Sequence, residues 1–221
     1  MMNNLFSTFD PSTSMNFSLN WVSSVTSLII LPMNFWIMPS RIHLSFNKMY
    51  MQLFNEFKML LGNNKGLVLI MVTLFMFILT NNMLGLLPYM FTSSSHLSFT
   101  MTLALPLWMS FMLFGWINNT KHMLAHMVPL GTPNMLMPFM VIIETVSNII
   151  RPGSLAVRLT ANMIAGHLLM SLLGNNAMNS STMMLSIILF IQVMLMMFET
   201  AVSLIQAYVF SVLSTLYSSE V

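Results

Sequence analysis

From Gly66 to Thr120 the chain runs for 55 residues without a single formal charge. A second gap separates Asp10 from Arg41. A water-soluble domain devotes about a quarter of its residues to charge in order to cover its surface. Here charged residues are 5% of 221, while hydrophobic residues are 57%. Mean hydropathy is +0.81. Disordered chains lie at the opposite extreme, poor in apolar residues and rich in charge. The composition therefore specifies a polytopic membrane protein.

Other totals remove whole classes of function. The absence of cysteine excludes a disulfide framework, a cysteine-based zinc site and a thiol nucleophile. The pI near 9.2 rests on a surplus of two positive charges, too few for a nucleic-acid footprint. The 28 methionines are gap-filling side chains or a codon bias and carry no functional weight. Met1 to Asn20 contains no Lys or Arg and one acid, Asp10, so neither a secretory signal nor a transit peptide is expected and the mature chain is read from about Met1.

A bilayer core takes about 20 apolar residues per helix. The expected fold is an all-α membrane protein in one membrane domain, 1–221. It has five embedded helices, at about 19–38, 67–90, 97–117, 133–173 and 182–217, plus an interfacial helix at about 42–61. The first span carries Trp21 and Trp36 near its ends and a kink at Pro32. In the interfacial helix Phe46, Met49, Tyr50, Leu53, Phe54, Phe57, Leu60 and Leu61 fall on one face. Asn81 and Asn82 are expected to bond to neighbouring helices. The polar run Thr92 to His96 separates the second and third spans, and Gly174-Asn175-Asn176 begins the turn between the last two. Those last two stretches exceed a perpendicular span, which demands strong tilt, a kink or a break, with Pro152-Gly153 a candidate bend.

Five of the seven basic residues lie in two connecting segments: Arg41, Lys48, Lys58 and Lys65 in one, Lys121 in the other. Segments 1–18, 91–96 and 174–181 have none. The positive-inside rule puts the N-terminus outside and the C-terminus inside.

Four ionisable residues besides Arg151 lie at membrane depth: Glu144, Arg158, His167 and Glu199. A central charge costs about 2.5–3.5 kcal/mol on the insertion scale, so such residues are functional candidates. Arg151, beside Pro152, is read as structural. Along a 1.5 Å rise, Glu144 lies roughly 21 Å inward of Arg158 and His167 roughly 13 Å outward of it. If Gln206 is level with Arg158, Glu199 is level with His167. This gives a proton-capable pair on the outer side, one acid on the inner side and a permanent cation between them. His and Glu exchange protons, whereas Arg cannot relay one. The layout suits two offset proton routes separated by an electrostatic barrier. No acid of this chain remains to meet Arg158, so that acid is expected on a mobile partner. Arg158 and His167, nine residues apart, fall on opposite helix faces.

Leu155-Ala156-Val157-Arg158-Leu159-Thr160-Ala161-Asn162-Met163-Ile164-Ala165-Gly166-His167 resembles the core motif of subunit a of F-type ATP synthases. Pro138 to Val141 leading to Glu144, Gln206-Ala207-Tyr208-Val209-Phe210, Asn81-Asn82, Gly85-Leu86 and Pro88 resemble it too. The similarity extends over essentially the whole chain, and the N-terminal run is similar to insect mitochondrial sequences. The resemblance implies that Arg158 faces the carboxylates of a rotating c-ring. It implies that His167 and Glu199 form the half-channel toward the intermembrane space and that Glu144 belongs to the matrix half-channel. Asn162 and Gln206 become polar neighbours of the arginine. In bacterial members the acid and imidazole are exchanged, so the order here points to the mitochondrial inner membrane. The implied partners are the c-ring, other stator subunits and the lipid bilayer, with no cofactor, no metal and no ATP chemistry on this chain.

Three other readings compete. A self-contained proton or cation transporter needs its own acid opposite Arg158. A structural subunit of a respiratory complex needs no His167, Glu199 or Glu144 at those depths. A metalloenzyme rests on His122 and His126, four apart, with no third ligand in the sequence. These loop histidines, with His43 and His96, are read as structural.

Overall fold

The computed structural model describes residues 5–14, 17–31, 38–62, 64–128, 131–133, 135–178 and 180–219. Regular structure among them is helical: α1 (Val22–Ile30), α2 (Arg41–Leu61), α3 (Lys65–Gly85), α4 (Leu97–Asn118), α5 (Thr120–His126), α6 (Met137–Met178) and α7 (Thr182–Ser219). Short 3-10 turns precede α1 at Leu5–Phe9 and Leu19–Trp21, and a third lies at Ser93–Ser95.

Four of these helices, α3, α4, α6 and α7, are long and apolar enough to cross a membrane. Among the described residues, the first expected span is helical over Leu19–Ile30. Leu31 turns to extended backbone (φ −64°, ψ 123°), as a residue preceding proline does. Residues 32–37, with the expected Pro32 kink and the Trp36 anchor, lie outside the described residues.

Helix α2 begins where the Ser40 side chain accepts a hydrogen bond from the His43 N–H, and ends at Gly62 with φ 67°. Its apolar face carries Phe46, Tyr50, Leu53, Phe54 and the fully buried Phe57, packed on α3 and α7. Arg41, Lys48 and Lys58 are exposed. Helix α3 is the central post, with Val68, Met71, Phe75, Met76 and Ile78 buried. Against it α7 presents Ser203, Ser211, Ser214 and Thr215, all buried. Their hydroxyls bond back to carbonyls of their own helix, so a polar stripe costs no unpaired donors and lets two backbones approach closely. Asn82 donates to the Ser203 carbonyl at 3.5 Å, tying α3 to α7. Asn81 instead donates within its own helix, to Phe77, and accepts from Ser93 at 3.5 Å.

The polar run at 92–95 separates α3 from α4 but does not lie at the surface. Thr92, Ser93, Ser94 and Ser95 are all buried against α3, α4 and α6. Gly85 makes room for it, since a Cβ there would meet Thr92 Cγ2 at 3.2 Å.

Helices α6 and α7 have 42 and 38 residues. At 1.5 Å per residue they extend about 63 and 57 Å, roughly twice a 30 Å hydrocarbon layer. Such helices fit a bilayer only at steep inclination or with their ends outside it. Helix α6 passes through the buried Pro152 without a break, and through Gly174-Asn175-Asn176 as far as Met178. Its core contacts join Leu155, Ala156 and Leu159 to Ala207 and Phe210 of α7 and Phe75, Met76 and Ile78 of α3.

Candidate functional site

The antiparallel pair α6–α7 carries every membrane-depth ionisable residue. Its register is fixed at one end by Gly166, where a Cβ would lie 2.8 Å from both Cδ and Oε1 of Glu199. A side chain there would oblige the α7 carboxylate to move, because it occupies the space a Cβ would fill. Following the register eight residues along brings Arg158 beside Gln206 and Ala207, consistent with the core shared by Leu155, Ala156, Leu159, Ala207 and Phe210. The Gly166–Glu199 contact is thus about 12 Å along α6 from Arg158.

His167 and Glu199 line one cleft of about 610 Å³. Glu199 is 9% exposed, and its Oε1 is buried with no hydrogen-bond partner among the described residues. His167 is half-buried, and its Nε2 is buried without a partner among the described residues. The ring of Phe9 meets the imidazole edge-to-face, with centroids 6.2 Å apart and planes at 87°. Two protonatable side chains therefore border one space, and each also keeps one buried polar atom without a partner. An unpaired buried polar atom is costly unless water or another partner reaches it.

Arg158 is exposed. Its neighbours on the inner face of α6, Leu155, Ala156, Leu159 and Thr160, are buried, and Val157 beside it is 49% exposed. Among the described residues no acid lies within ion-pair distance of Arg158, and no hydrogen bond reaches it. The side chain points out of the bundle, on a surface that also carries exposed apolar side chains. Asn162, one turn along α6, and Gln206 on α7 are both half-buried.

At the other end of α6 the arrangement differs. Arg151 Nη2 forms an ion pair with Glu144 Oε1 at 3.5 Å, and the Glu144 and Arg151 side chains are about a quarter exposed, at 28% and 24%. The guanidinium lies over the Tyr217 ring, 5.1 Å from its centroid, joining α6 to the end of α7. The i, i+7 spacing of Glu144 and Arg151 puts them on one face, and their long side chains close the gap. Arg151 is thus engaged on two sides, by Glu144 of its own helix and by Tyr217 of α7.

Three participants were not singled out from sequence. Gly166 gives no signal without its partner helix. Phe9 lies in a segment that periodicity leaves unassigned. Glu56 of α2 accepts a hydrogen bond from Tyr208 of α7 at 3.4 Å, a link between elements 152 residues apart. His122 and His126 join no cluster of three potential metal ligands among the described residues. His126 instead borders a small cleft with Trp108, Asn148 and Arg151.

Residues 12–219 match the family model described as ATP synthase A chain. Among curated proteins, the chain is 60% identical to ATP synthase subunit a of Locusta migratoria, 61% to that of Aedes aegypti and 59% to that of Drosophila melanogaster. Each match covers 100% of both chains.

Proposed function

The chain belongs to the ATP synthase A chain family, and from that membership and the α6–α7 geometry we propose that it is the proton-translocating stator subunit of the membrane sector. It acts as a single multi-pass unit of the mitochondrial inner membrane. The N-terminus faces the intermembrane space and the C-terminus the matrix, in keeping with the skew of basic residues.

The observation that carries this reading is the state of Arg158: a permanent cation at membrane depth, exposed, with no acid from the described residues beside it. Such a charge is stable in a bilayer only when a carboxylate or water compensates it. The chain's own membrane-depth acids are engaged elsewhere, Glu144 by Arg151 and Glu199 against Gly166. The missing carboxylate belongs to the c-ring. Protons enter from the intermembrane space through the His167–Glu199 cleft and neutralise a ring carboxylate leaving Arg158. The neutral carboxyl moves into lipid as the ring turns. A carboxyl returning to Arg158 from the other side gives up its proton toward the matrix, past Glu144, because the guanidinium favours the ionised form. Asn162 and Gln206 hydrate or steady the exchange beside the arginine. Arg158 itself cannot carry a proton, so it blocks a direct leak. Each charge crossing 100 mV contributes about 2.3 kcal/mol to rotation. This chain performs no ATP chemistry.

Replacing Arg158 by Ala abolishes proton-driven ATP synthesis while leaving the subunit inserted, as judged by its amount in the purified complex. Coupled synthesis at the normal rate in Arg158→Ala would refute the mechanism.

A further inference from the structure

The cleft holding His167 and Glu199 has a third acidic side, contributed by the N-terminal segment. Asp10 lines it together with Asn20 and the loop after α3. Its carboxylate is exposed, and Oδ1 accepts from the Ser12 N–H at 3.0 Å and from the Ser12 hydroxyl at 2.8 Å. Asn20, in the turn leading into α1, donates to the Asp10 carbonyl at 3.2 Å. Phe9 rests on the His167 ring. The segment is thus fastened at two points, by Asn20 and by Phe9 on the His167 ring. Asp10 is also the sole formal charge in the three segments 1–18, 91–96 and 174–181.

Resting on the proton-uptake role given above to His167 and Glu199, we propose that Asp10 is a positioning residue of the outer inlet, a fixed negative charge that concentrates protons at the mouth of the cleft. A cleft with low-dielectric walls and one sign of charge raises the local concentration of counter-ions. The other titratable groups facing Asp10 are His167 from α6, Glu199 from α7 and Tyr89 from the loop after α3, with His96 behind Phe91. Asp10 alone among them is a fully exposed carboxylate, whereas Glu199 is 9% exposed. The two Ser12 hydrogen bonds hold the Asp10 carboxyl below the usual carboxylate range, so it stays ionised as the outer side acidifies. Phe9 keeps the segment seated over the imidazole.

The test uses the whole ATP synthase complex in proteoliposomes under an imposed potential, with ATP synthesis followed against pH on the intermembrane-space side. Asp10→Asn is expected to raise the proton concentration needed for half-maximal synthesis by about three-fold at low salt, the effect of one charge acting through a partly aqueous mouth. The difference should fade at about 1 M salt, where screening shortens the Debye length to roughly 3 Å. Asp10→Glu should restore the wild-type profile. Glu199→Gln serves as the control for the underlying reading and should slow proton uptake from that side. If Asp10→Asn follows the wild-type curve at low salt while Glu199→Gln is slow, the inlet role of Asp10 is overturned and the proton path stands. A defect in Asp10→Asn that persists in high salt and resists rescue by Asp10→Glu also overturns it, as a structural effect. If neither Asp10→Asn nor Glu199→Gln alters the profile, both the path and the inlet fall together.

Discussion

The two ends of the α6–α7 pair hold similar chemical groups in opposite states. At one end His167 and Glu199 border a cleft of about 610 Å³ with buried polar atoms left unpaired. At the other, Glu144 is paired with Arg151 at 3.5 Å, Arg151 lies over Tyr217, and the adjoining space is only about 20 Å³. One carboxylate thus has an ion partner, whereas the other borders an open cleft that an imidazole also lines. The contrast teaches that acids at membrane depth are not equivalent. On the function proposed above, one end serves exchange and the other retention, and the exposed Arg158 stands between them.

The comparison can be broken from either end. The largest expected effect comes from Gly166→Ala. Its Cβ would fall 2.8 Å from the Glu199 carboxylate, backed by helix on one side, so the carboxylate must leave its position. ATP synthesis driven by a proton gradient should fall about ten-fold, in line with the cost of misplacing a reacting group by an ångström or so. An equal amount of assembled subunit with the wild-type rate would remove the close Gly166–Glu199 contact from the account. A smaller effect is expected of Glu144→Gln. Loss of its charge leaves Arg151 with Tyr217 and partial solvent exposure, so assembly should survive and synthesis should drop about two- to three-fold. The change should appear in the dependence on matrix-side pH. A block as complete as that of Arg158→Ala would make the retained end as essential as the exchanging end and erase the distinction.

Much of this architecture is legible in the residues. A long charge-free run identifies α3 and α4 and two long apolar stretches identify α6 and α7, because nothing but a membrane tolerates them, and nine-residue spacing puts Arg158 and His167 on different faces of α6. What escapes is whatever depends on a neighbour. Hydropathy carries the second span on to Met90, yet α3 stops at Gly85, because Leu86, Leu87 and Met90 line the cleft instead of continuing a helix. Gly174-Asn175-Asn176 reads as a turn, but α6 continues through it, and Gly174 lies where the Gln192 side chain of α7 passes 3.7 Å from its would-be Cβ. Thr92 to Ser95 reads as a surface break, but the run is buried among three helices. The Glu144–Arg151 pair is visible as a shared face, whereas the choice between pairing with each other and serving separate roles is made by Tyr217, more than sixty residues away. At Arg158 the sequence signal is strongest, since an arginine in the middle of so long an apolar run, inside so specific a motif, has few alternatives.

The central claim is that Arg158 meets a carboxylate on a rotating neighbour. The direct measurement is a crosslink from the adjacent, half-exposed position, Val157→Cys, to cysteines placed one at a time along the outer helix of the c subunit in the intact complex. The account predicts a strong crosslink confined to c-subunit positions within a turn of the ring carboxylate, and arrest of rotation once it forms. Reaction only with positions of this same subunit, with rotation undisturbed, would contradict it.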